Sequence, residues 1–179
     1  MQFTETPLRG AYLVGLERRE DDRGSFARAF CAREFAEHGL ETGYVQANLS
    51  TNKKAGTVRG MHFQRAPHAE VKLVRCVAGA IYDAIVDLRQ ESPTYLQWFG
   101  AELSQDNGLM MYVPRGFAHG YQALTNGAAV HYMVSAFYSP TSEGGVRHDD
   151  PSIGIRWPRA VADISPKDGA WPLVEGAAR

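Results

Sequence analysis

Cysteine, long apolar runs and an excess of charge of either sign are all scarce in this sequence. Only two cysteines occur among 179 residues, Cys31 and Cys76, too few to cross-link a domain of this size and without metal-ligand spacing. We therefore expect two buried thiols in a reducing compartment. The 19 basic and 20 acidic residues leave a formal charge of -1, so no overall field favours nucleic acid or a membrane surface as a partner.

The N-terminal segment lacks the features of a targeting signal. Residues 1–20 carry scattered charges and no apolar stretch of signal-peptide length, and no later segment resembles a membrane span. We expect a soluble, cytoplasmic protein with no membrane partner. With 44% hydrophobic residues, the chain is long enough for one sizeable core but short for two, which predicts a single domain over residues 1–179.

The dominant pattern from about residue 55 onward is short alternating segments separated by Gly, Pro, Asn or Asp, which is typical of strands. In AIYDAIVDLR, Ile81, Asp83 and Ile85 share the face opposite Tyr82 and Ala84, so a partly polar interior is expected. Further strands are predicted at VKLVRCV, LQWFGAELS, LMMYVP and AVHYMVSAFY.

Two short segments favour helix instead. CAREFAEH precedes Gly39, which suits a helix end, and in SPKD Ser165 can act as N-cap with Pro166 in the first helical position. The resulting prediction is an all-β sandwich or barrel that is closed at its edges and has few short helices.

The segment GLMMYVPRGFAH narrows this architecture to a cupin-like jelly roll, also called a double-stranded β-helix. Gly108, Pro114, Gly116 and His119 have the spacing of the second cupin sequence motif. The first motif would place a His-x-His pair for metal binding early in the domain, but this chain reads HFQ from His62. Because an amide replaces an imidazole in a site already short of ligands, we expect no bound transition metal.

His62 stands among an unusual number of cations. Arg59 lies three residues before it and Lys72 ten residues after it, which offers an anion contact and an ammonium group near a candidate base. On these residues alone, a structural histidine at the start of a strand, the commoner case in β proteins, remains open.

Four other residues each fit a structural and a functional interpretation. Alternation in AVHYMVSAFY places Tyr132 and Tyr138 on one face, either as an aromatic core stripe or as a proton donor and a stacking surface. Asp168 either completes the helix cap begun by Ser165 or orients a histidine. Arg23, in the run ERREDDRG, is either a solvated turn residue or a phosphate ligand.

These segments occur together, and in the same order, in one enzyme family. The chain resembles the dTDP-4-dehydrorhamnose 3,5-epimerase family, metal-free cupin-fold enzymes of dTDP-deoxysugar synthesis. The resemblance runs through DDRGSFARAF, VQANLS, VRGMHFQ, KLVRCVAG, YDAIVDLR, VPRGFAHGYQAL, HYMVSAFYSP, EGGVRHDDP, IRWP and SPKD. RGMHFQ, GSF and RAPHAEVK depart from the commoner family pattern, but no catalytic residue is lost.

The resemblance implies roles for individual residues. The implied catalytic residues are His62 as general base, Asp168 as its dyad partner, Lys72 as the group that stabilises an enolate, and Tyr132 as the acid on the opposite face of the sugar. The implied substrate-binding residues are Arg23 and Arg59 at the diphosphate, Gln46 and Asn48 on the nucleotide side, Tyr138 and Glu143 near the thymine, and Phe26 and His119.

The implied reaction inverts C3 and C5 of a dTDP-4-keto-6-deoxyhexose through an enolate, with no cofactor, converting dTDP-4-dehydro-6-deoxyglucose into dTDP-4-dehydrorhamnose. Such an inversion needs a base, a proton donor and stabilisation of the enolate oxygen. The resemblance also implies a homodimer whose N-terminal strands cross over. Three alternatives stay open: an epimerase of one carbon or a ketoisomerase from another deoxysugar pathway, a non-catalytic cupin that binds a nucleotide sugar, and a metal-dependent cupin oxygenase.

Overall fold

A computed structural model describes residues 1–174, so residues 175–179 of the predicted domain lie outside the described part. Residues 1–174 contain fourteen strands and two short helices. The strands are β1 (Gln2–Glu5), β2 (Tyr12–Gly15), β3 (Arg19–Asp21), β4 (Gly24–Phe26), β5 (Gln46–Thr51), β6 (Thr57–Gln64), β7 (Lys72–Ala78), β8 (Ala80–Asp87), β9 (Trp98–Ser104), β10 (Leu109–Val113), β11 (Phe117–Ala123), β12 (Ala129–Val134), β13 (Glu143–Gly145) and β14 (Asp163–Ile164). The helices are α1 (Ala32–Glu37) and α2 (Pro166–Gly169).

Most of the strands form two sheets that pack face to face. The first sheet has the order β1-β2-β10-β7-β12-β5, and the second has the order β13-β6-β11-β8-β9 with β14 parallel to β6. The core between them takes Val74 and Met111 from the first sheet and Ile81, Ile85 and Phe117 from the second. The predicted all-β jelly roll with few short helices is therefore confirmed.

Strand β8 follows the alternation predicted from its sequence. Ile81 and Ile85 pack in the core between the sheets, while Ala84 and Val86 pack on the other face of the second sheet. Asp83 lies between the two isoleucines and is completely buried, which confirms the partly polar interior.

The outer face of the first sheet is covered by helix α1 and the N-terminal segment. Phe35 of α1 is fully buried against Val14, Leu73 and Met110. The chain leaves α1 through Gly39, which has a φ of +68° that favours glycine. The short helix before Gly39 and the helix in SPKD are both confirmed.

Three expectations need correction. Strands β1 to β5 precede residue 55, where the sequence pattern located no individual strand; β3 and β4 have only exposed residues and so give no apolar alternation. The strand in AVHYMVSAFY ends at Val134, so alternation does not extend to Tyr138. Of the two cysteines, Cys76 is buried as expected, but Cys31 is only partly buried. No helix within residues 1–174 is both long and apolar enough to span a membrane.

Candidate active site

His62 and Asp168 form a close pair although 106 residues separate them in the chain. His62 lies on β6, and β14 runs parallel to β6, so that α2 begins beside the histidine. The His62 Nε2 atom is 2.6 Å from Asp168 Oδ1. The hydroxyl of Ser165 accepts a hydrogen bond from the Asp168 backbone N–H at 3.0 Å, so the predicted helix cap also exists. Asp168 thus serves both interpretations, with its backbone in the cap and its carboxylate on the histidine.

The carboxylate of Asp168 is held in its charged form. Burial alone would raise its pKa, but the interactions with His62 and the hydrogen bond from the Gly60 backbone N–H bring the pKa below its ordinary value. That N–H donates to Asp168 Oδ2 at 3.1 Å. A charged acceptor at Nε2 favours the tautomer in which Nε2 carries the proton, leaving Nδ1 with a free lone pair. His62 is therefore oriented as a base.

Gly60 brings this part of β6 close to β11. Its φ of +121° is rare for other residues, and a Cβ atom there would lie 2.6 Å from Gly120 Cα and 2.8 Å from the His119 carbonyl oxygen. A side chain at Gly60 would therefore push apart the strands that carry His62 and His119.

Tyr132 and Lys72 approach the same space from the opposite sheet. They lie on the neighbouring strands β12 and β7, where Tyr132 pairs with Val74 and Lys72 pairs with Val134. Burial raises the pKa of the Tyr132 phenol, so the phenol keeps its proton at neutral pH and can act as an acid. The predicted base, His62, and the predicted acid, Tyr132, thus lie on two facing sheets.

Two adjoining cavities occupy the space between these residues, and His62, Lys72 and Tyr132 line both. The main cavity has a volume of about 390 Å³ and is also lined by Gln46, Asn48, Phe63, Gln64, Glu70, Val134, Tyr138 and Glu143. The side cavity has a volume of about 180 Å³ and is also lined by Ser50, Arg59, His119, Tyr121 and Asp168. Ten of the twelve predicted site residues therefore meet around one space.

Three of the predicted nucleotide-side residues, Gln46, Tyr138 and Glu143, are linked by hydrogen bonds beside the main cavity. The Gln46 side-chain oxygen accepts from the Tyr138 backbone N–H at 2.9 Å. The Tyr138 hydroxyl donates to Glu143 at 3.1 Å, and Lys167 binds both oxygens of Glu143 at 2.7 Å. Tyr138 reaches the cavity through the irregular segment that follows β12, not through strand alternation.

Arg59 and His119 belong to the side cavity. Arg59 Nε donates to the Asn52 side-chain oxygen at 2.9 Å. His119 Nε2 lies 2.8 Å from Asp83 Oδ2, which forms a second buried histidine–aspartate pair. The predicted site thus contains two such pairs, one on α2 and β6 and one on β8 and β11.

Arg23 and Phe26 are not brought to these cavities within one chain. They lie on the β3–β4 hairpin, where Arg23 pairs with Asp21 at 2.6 Å and its side chain is 90% exposed. Phe26 is 72% exposed, although it is large and apolar. Their placement at the substrate remains a prediction.

Sequence reasoning missed two residues beside the catalytic candidates. Glu70 forms an ion pair with Lys72 at 3.2 Å; it stands two residues from Lys72, but an acid in a loop gave no signal of its direction. The Trp171 ring centre lies 6.3 Å from that of His62 in an edge-on arrangement, and the indole covers Gly145 so closely that no Cβ fits there.

The position of a second metal-binding histidine is occupied by Gln64, whose amide is engaged within the protein. Gln64 Nε2 donates to the His68 carbonyl oxygen at 3.0 Å and to Glu70 at 3.2 Å, and its oxygen accepts from the Ser139 backbone N–H at 2.6 Å. Over residues 1–174, no three His, Cys, Asp or Glu side chains cluster in a way that could hold a metal ion.

Comparison with known proteins identifies the family of the chain. The family model for dTDP-4-dehydrorhamnose 3,5-epimerase matches residues 5–176. The dTDP-4-dehydrorhamnose 3,5-epimerase of Sinorhizobium fredii is 42% identical over 173 residues, which cover 96% of this chain and 89% of that protein. A dTDP-4-dehydrorhamnose 3-epimerase of Streptomyces niveus is 37% identical over 169 residues, covering 94% of this chain and 81% of the relative.

A solved structure shows the same fold. The Bacillus anthracis dTDP-4-dehydrorhamnose 3,5-epimerase, crystallised with TDP and PPi bound, superposes with a TM-score of 0.94 at 40% identity and covers 97% of this chain and 99% of its own. The family model spans most of the chain, and the relatives have high identity and coverage. The chain belongs to the dTDP-4-dehydrorhamnose 3,5-epimerase family, whose members are isomerases.

Proposed function

We propose that this protein inverts C3 and C5 of a dTDP-4-keto-6-deoxyhexose, converting dTDP-4-dehydro-6-deoxyglucose into dTDP-4-dehydrorhamnose. The observation that carries the proposal is the cavity between the two sheets, with His62 and Asp168 on one side and Tyr132 and Lys72 on the other. Family membership supports the same reaction.

Proton removal is assigned to His62. The C4 ketone acidifies the hydrogens on C3 and C5, so Nδ1 of His62 can take a proton while the C–H electron pair forms the enolate double bond and charge moves to the C4 oxygen. Asp168 stabilises the imidazolium that results, because its carboxylate accepts from Nε2. Lys72 is assigned to the enolate oxygen, since an ammonium is the strongest donor on that side of the cavity.

Inversion is completed by Tyr132 from the other face. Its buried, protonated phenol donates to the enolate carbon, and the resulting phenolate and imidazolium recover their resting states by exchange with solvent. Deuterium from solvent should therefore enter each carbon that is inverted. The remote nucleotide supplies binding energy that positions the sugar ring, and Gln46, Asn48, Tyr138 and Glu143 are the residues assigned to it.

A homodimer and a cytoplasmic location complete the proposal. The exposed Arg23 and Phe26 of the β3–β4 hairpin are assigned to the diphosphate and the nucleotide of a second copy of the chain, since neither lines the two cavities around His62 in its own chain. Variants of these two residues therefore test both the proposed dimer and the proposed substrate site.

The proposal is tested with dTDP-4-keto-6-deoxyglucose in deuterated water without added metal, following the C3 and C5 proton signals by NMR. The expected result is the loss of both signals and, after reduction, a rhamnose-configured product. Retention of both signals at all enzyme concentrations would overturn the proposal.

A second candidate is inversion at C3 alone, which the 37% identical 3-epimerase of Streptomyces niveus favours. The same spectrum separates the two. Loss of the C3 signal with retention of the C5 signal would assign the single-centre reaction.

A further inference from the structure

Lys72 is almost enclosed and has a carboxylate for its neighbour. The side chain of Lys72 is 10% exposed and that of Glu70 is 11% exposed, and their charged atoms are 3.2 Å apart. The other contact of Lys72 Nζ is the His62 carbonyl oxygen at 3.4 Å. An ammonium has three donors, so one remains for the cavity.

Glu70 has a second polar neighbour besides Lys72. Gln64 Nε2 donates to Glu70 Oε2 at 3.2 Å, while Lys72 binds the other oxygen, Oε1. The same amide nitrogen also donates to the His68 and Phe137 carbonyl oxygens at 3.0 and 3.2 Å, and the Gln64 oxygen accepts from the Ser139 backbone N–H. One oxygen of Glu70 therefore faces Lys72, and the other faces Gln64 at the end of β6.

Two opposing effects act on the charge of Lys72. Enclosure in the protein favours a neutral amine, because it removes the water that solvates an ammonium, whereas a carboxylate in contact favours the ammonium. A neutral amine would be a poor partner for an enolate oxygen. We propose that Glu70 is a positioning residue that keeps Lys72 charged and aimed into the main cavity, and thereby sets the alkaline limit of the reaction.

This inference rests on the proposed function and extends it. The charge of Glu70 also indicates which part of the substrate lies beside it. A carboxylate would repel a nearby diphosphate. Paired with Lys72, Glu70 belongs at the sugar end of the substrate, where the net charge of the pair is zero.

Several other ionisable groups line the two cavities with Lys72 and must be separated from Glu70. The charged groups and imidazoles are Arg59, His62, His119, Glu143 and Asp168. The phenols are Tyr121, Tyr132 and Tyr138. The negative charge of Glu70 also contributes to the raised pKa of Tyr132. A change in the pH dependence of the rate could therefore come from Lys72 or from Tyr132, and a kinetic test alone would not distinguish them.

The first measurement therefore observes Lys72 directly, in protein without substrate. The chain has four lysines, so labelling them with ¹³C and ¹⁵N gives few signals, and the signal missing from Lys72→Arg identifies Lys72. In Glu70→Gln we expect this lysine to titrate at a pH lower by about one unit, the usual effect of losing one close opposite charge. Glu102→Gln, a fully exposed change on β9, serves as the control and should leave the titration unchanged.

The second measurement follows kcat against pH. Glu70→Gln should lower kcat more than it changes KM, because Lys72 is less well placed, and the loss should grow to about tenfold on the alkaline limb of the kcat profile, which is displaced by about one unit. Glu70→Asp keeps the charge and should restore the limb. In a Lys72→Arg background, where the guanidinium stays charged, Glu70→Gln should leave the limb in place.

An unchanged titration of Lys72 in both Glu70→Gln and Glu70→Ala would overturn the proposal. So would an equal displacement of the limb in the Lys72→Arg background, which would assign the effect to Tyr132. If the wild-type protein does not exchange the substrate protons at all, the proposed function fails, but the titration still decides whether Glu70 controls the charge of Lys72.

Discussion

The cavity between the two sheets and the β3–β4 hairpin supply residues to the same proposed site, yet one chain holds them very differently. In the cavity, His62 is bound to Asp168 at 2.6 Å and Lys72 to Glu70 at 3.2 Å. On the hairpin, Arg23 pairs with Asp21 two residues away, and Phe26 is 72% exposed.

This difference separates the residues proposed for proton transfer from those proposed to bind the nucleotide of the substrate. Proton transfer requires a donor and an acceptor placed to within a fraction of an ångström, and buried partners on rigid strands provide that. Contacts to a diphosphate tolerate more movement, so an exposed hairpin can make them when another surface completes the site. Variants in the two regions should therefore fail in different ways.

The largest effect is expected from Tyr132→Phe, which removes the acid but keeps the ring. Formation of the inverted product should fall by roughly 10²- to 10⁴-fold, the usual contribution of a general acid. Deuterium exchange without inversion should fall less, because His62 can return a deuteron to the face it came from. Product analysis and proton NMR on one sample check both, and Tyr95→Phe, outside the cavities, is the control. Equal product formation by both variants would rule out Tyr132 as the acid.

A smaller effect is expected from Arg23→Ala on the hairpin. Loss of one hydrogen-bonded cation from the nucleotide should raise KM by about tenfold, equivalent to about 1.4 kcal/mol, and leave kcat nearly unchanged. Initial rates over a range of substrate concentrations measure this, with the exposed Arg33→Ala of α1 as the matched change. If kcat fell and KM did not change, Arg23 would act in the reaction step and not in substrate binding. The hairpin and the cavity would then not differ in function.

No effect on kcat is expected from Asp87→Asn, although Asp87 is completely buried in the same barrel. Its carboxylate accepts hydrogen bonds from Arg89, Ser92 and Thr94 and lies outside both cavities. Burial opposes its ionisation, but these partners lower its pKa to about 2. The variant should be less stable than wild type by about 2 kcal/mol at neutral pH.

The pH dependence of that loss follows from the lowered pKa. A carboxyl group with a folded-state pKa below its unfolded value stabilises the protein above the unfolded pKa, and the contribution is lost as pH falls through the folded one. The gap in unfolding free energy between wild type and Asp87→Asn should therefore narrow between about pH 4 and about pH 2. Urea denaturation measures it, with the exposed Asp106→Asn as control. A gap that stays constant over this range would contradict the assignment.

Local patterns predicted the parts of the fold that local forces determine. The alternation in β8 and the glycine that ends α1 depend on residues a few positions apart, and both were predicted correctly. The exposed strands β3 and β4 bury no face and left no pattern to detect. The end of β12 at Val134 was also missed, because the apolar alternation continues where the backbone leaves the sheet.

Most of the site depends on contacts between distant residues. No local pattern links His62 to Asp168, and only the family resemblance predicted that they would meet. Glu70 lies near Lys72 in the chain, but the direction of its side chain depends on Gln64 and thus on the loop after β6. The exposed position of Arg23 agrees with the solvated turn that the run ERREDDRG indicated, but no local pattern decides whether Arg23 also binds a phosphate.

The most direct test of the central claim is the rate at which His62→Ala exchanges the C3 and C5 protons of dTDP-4-keto-6-deoxyglucose in deuterated water, compared with wild type. We predict that exchange at both carbons falls by roughly 10²- to 10⁴-fold, while circular dichroism and the thermal midpoint show a folded protein. Exchange by folded His62→Ala at the wild-type rate would show that another group is the base, and would contradict the account.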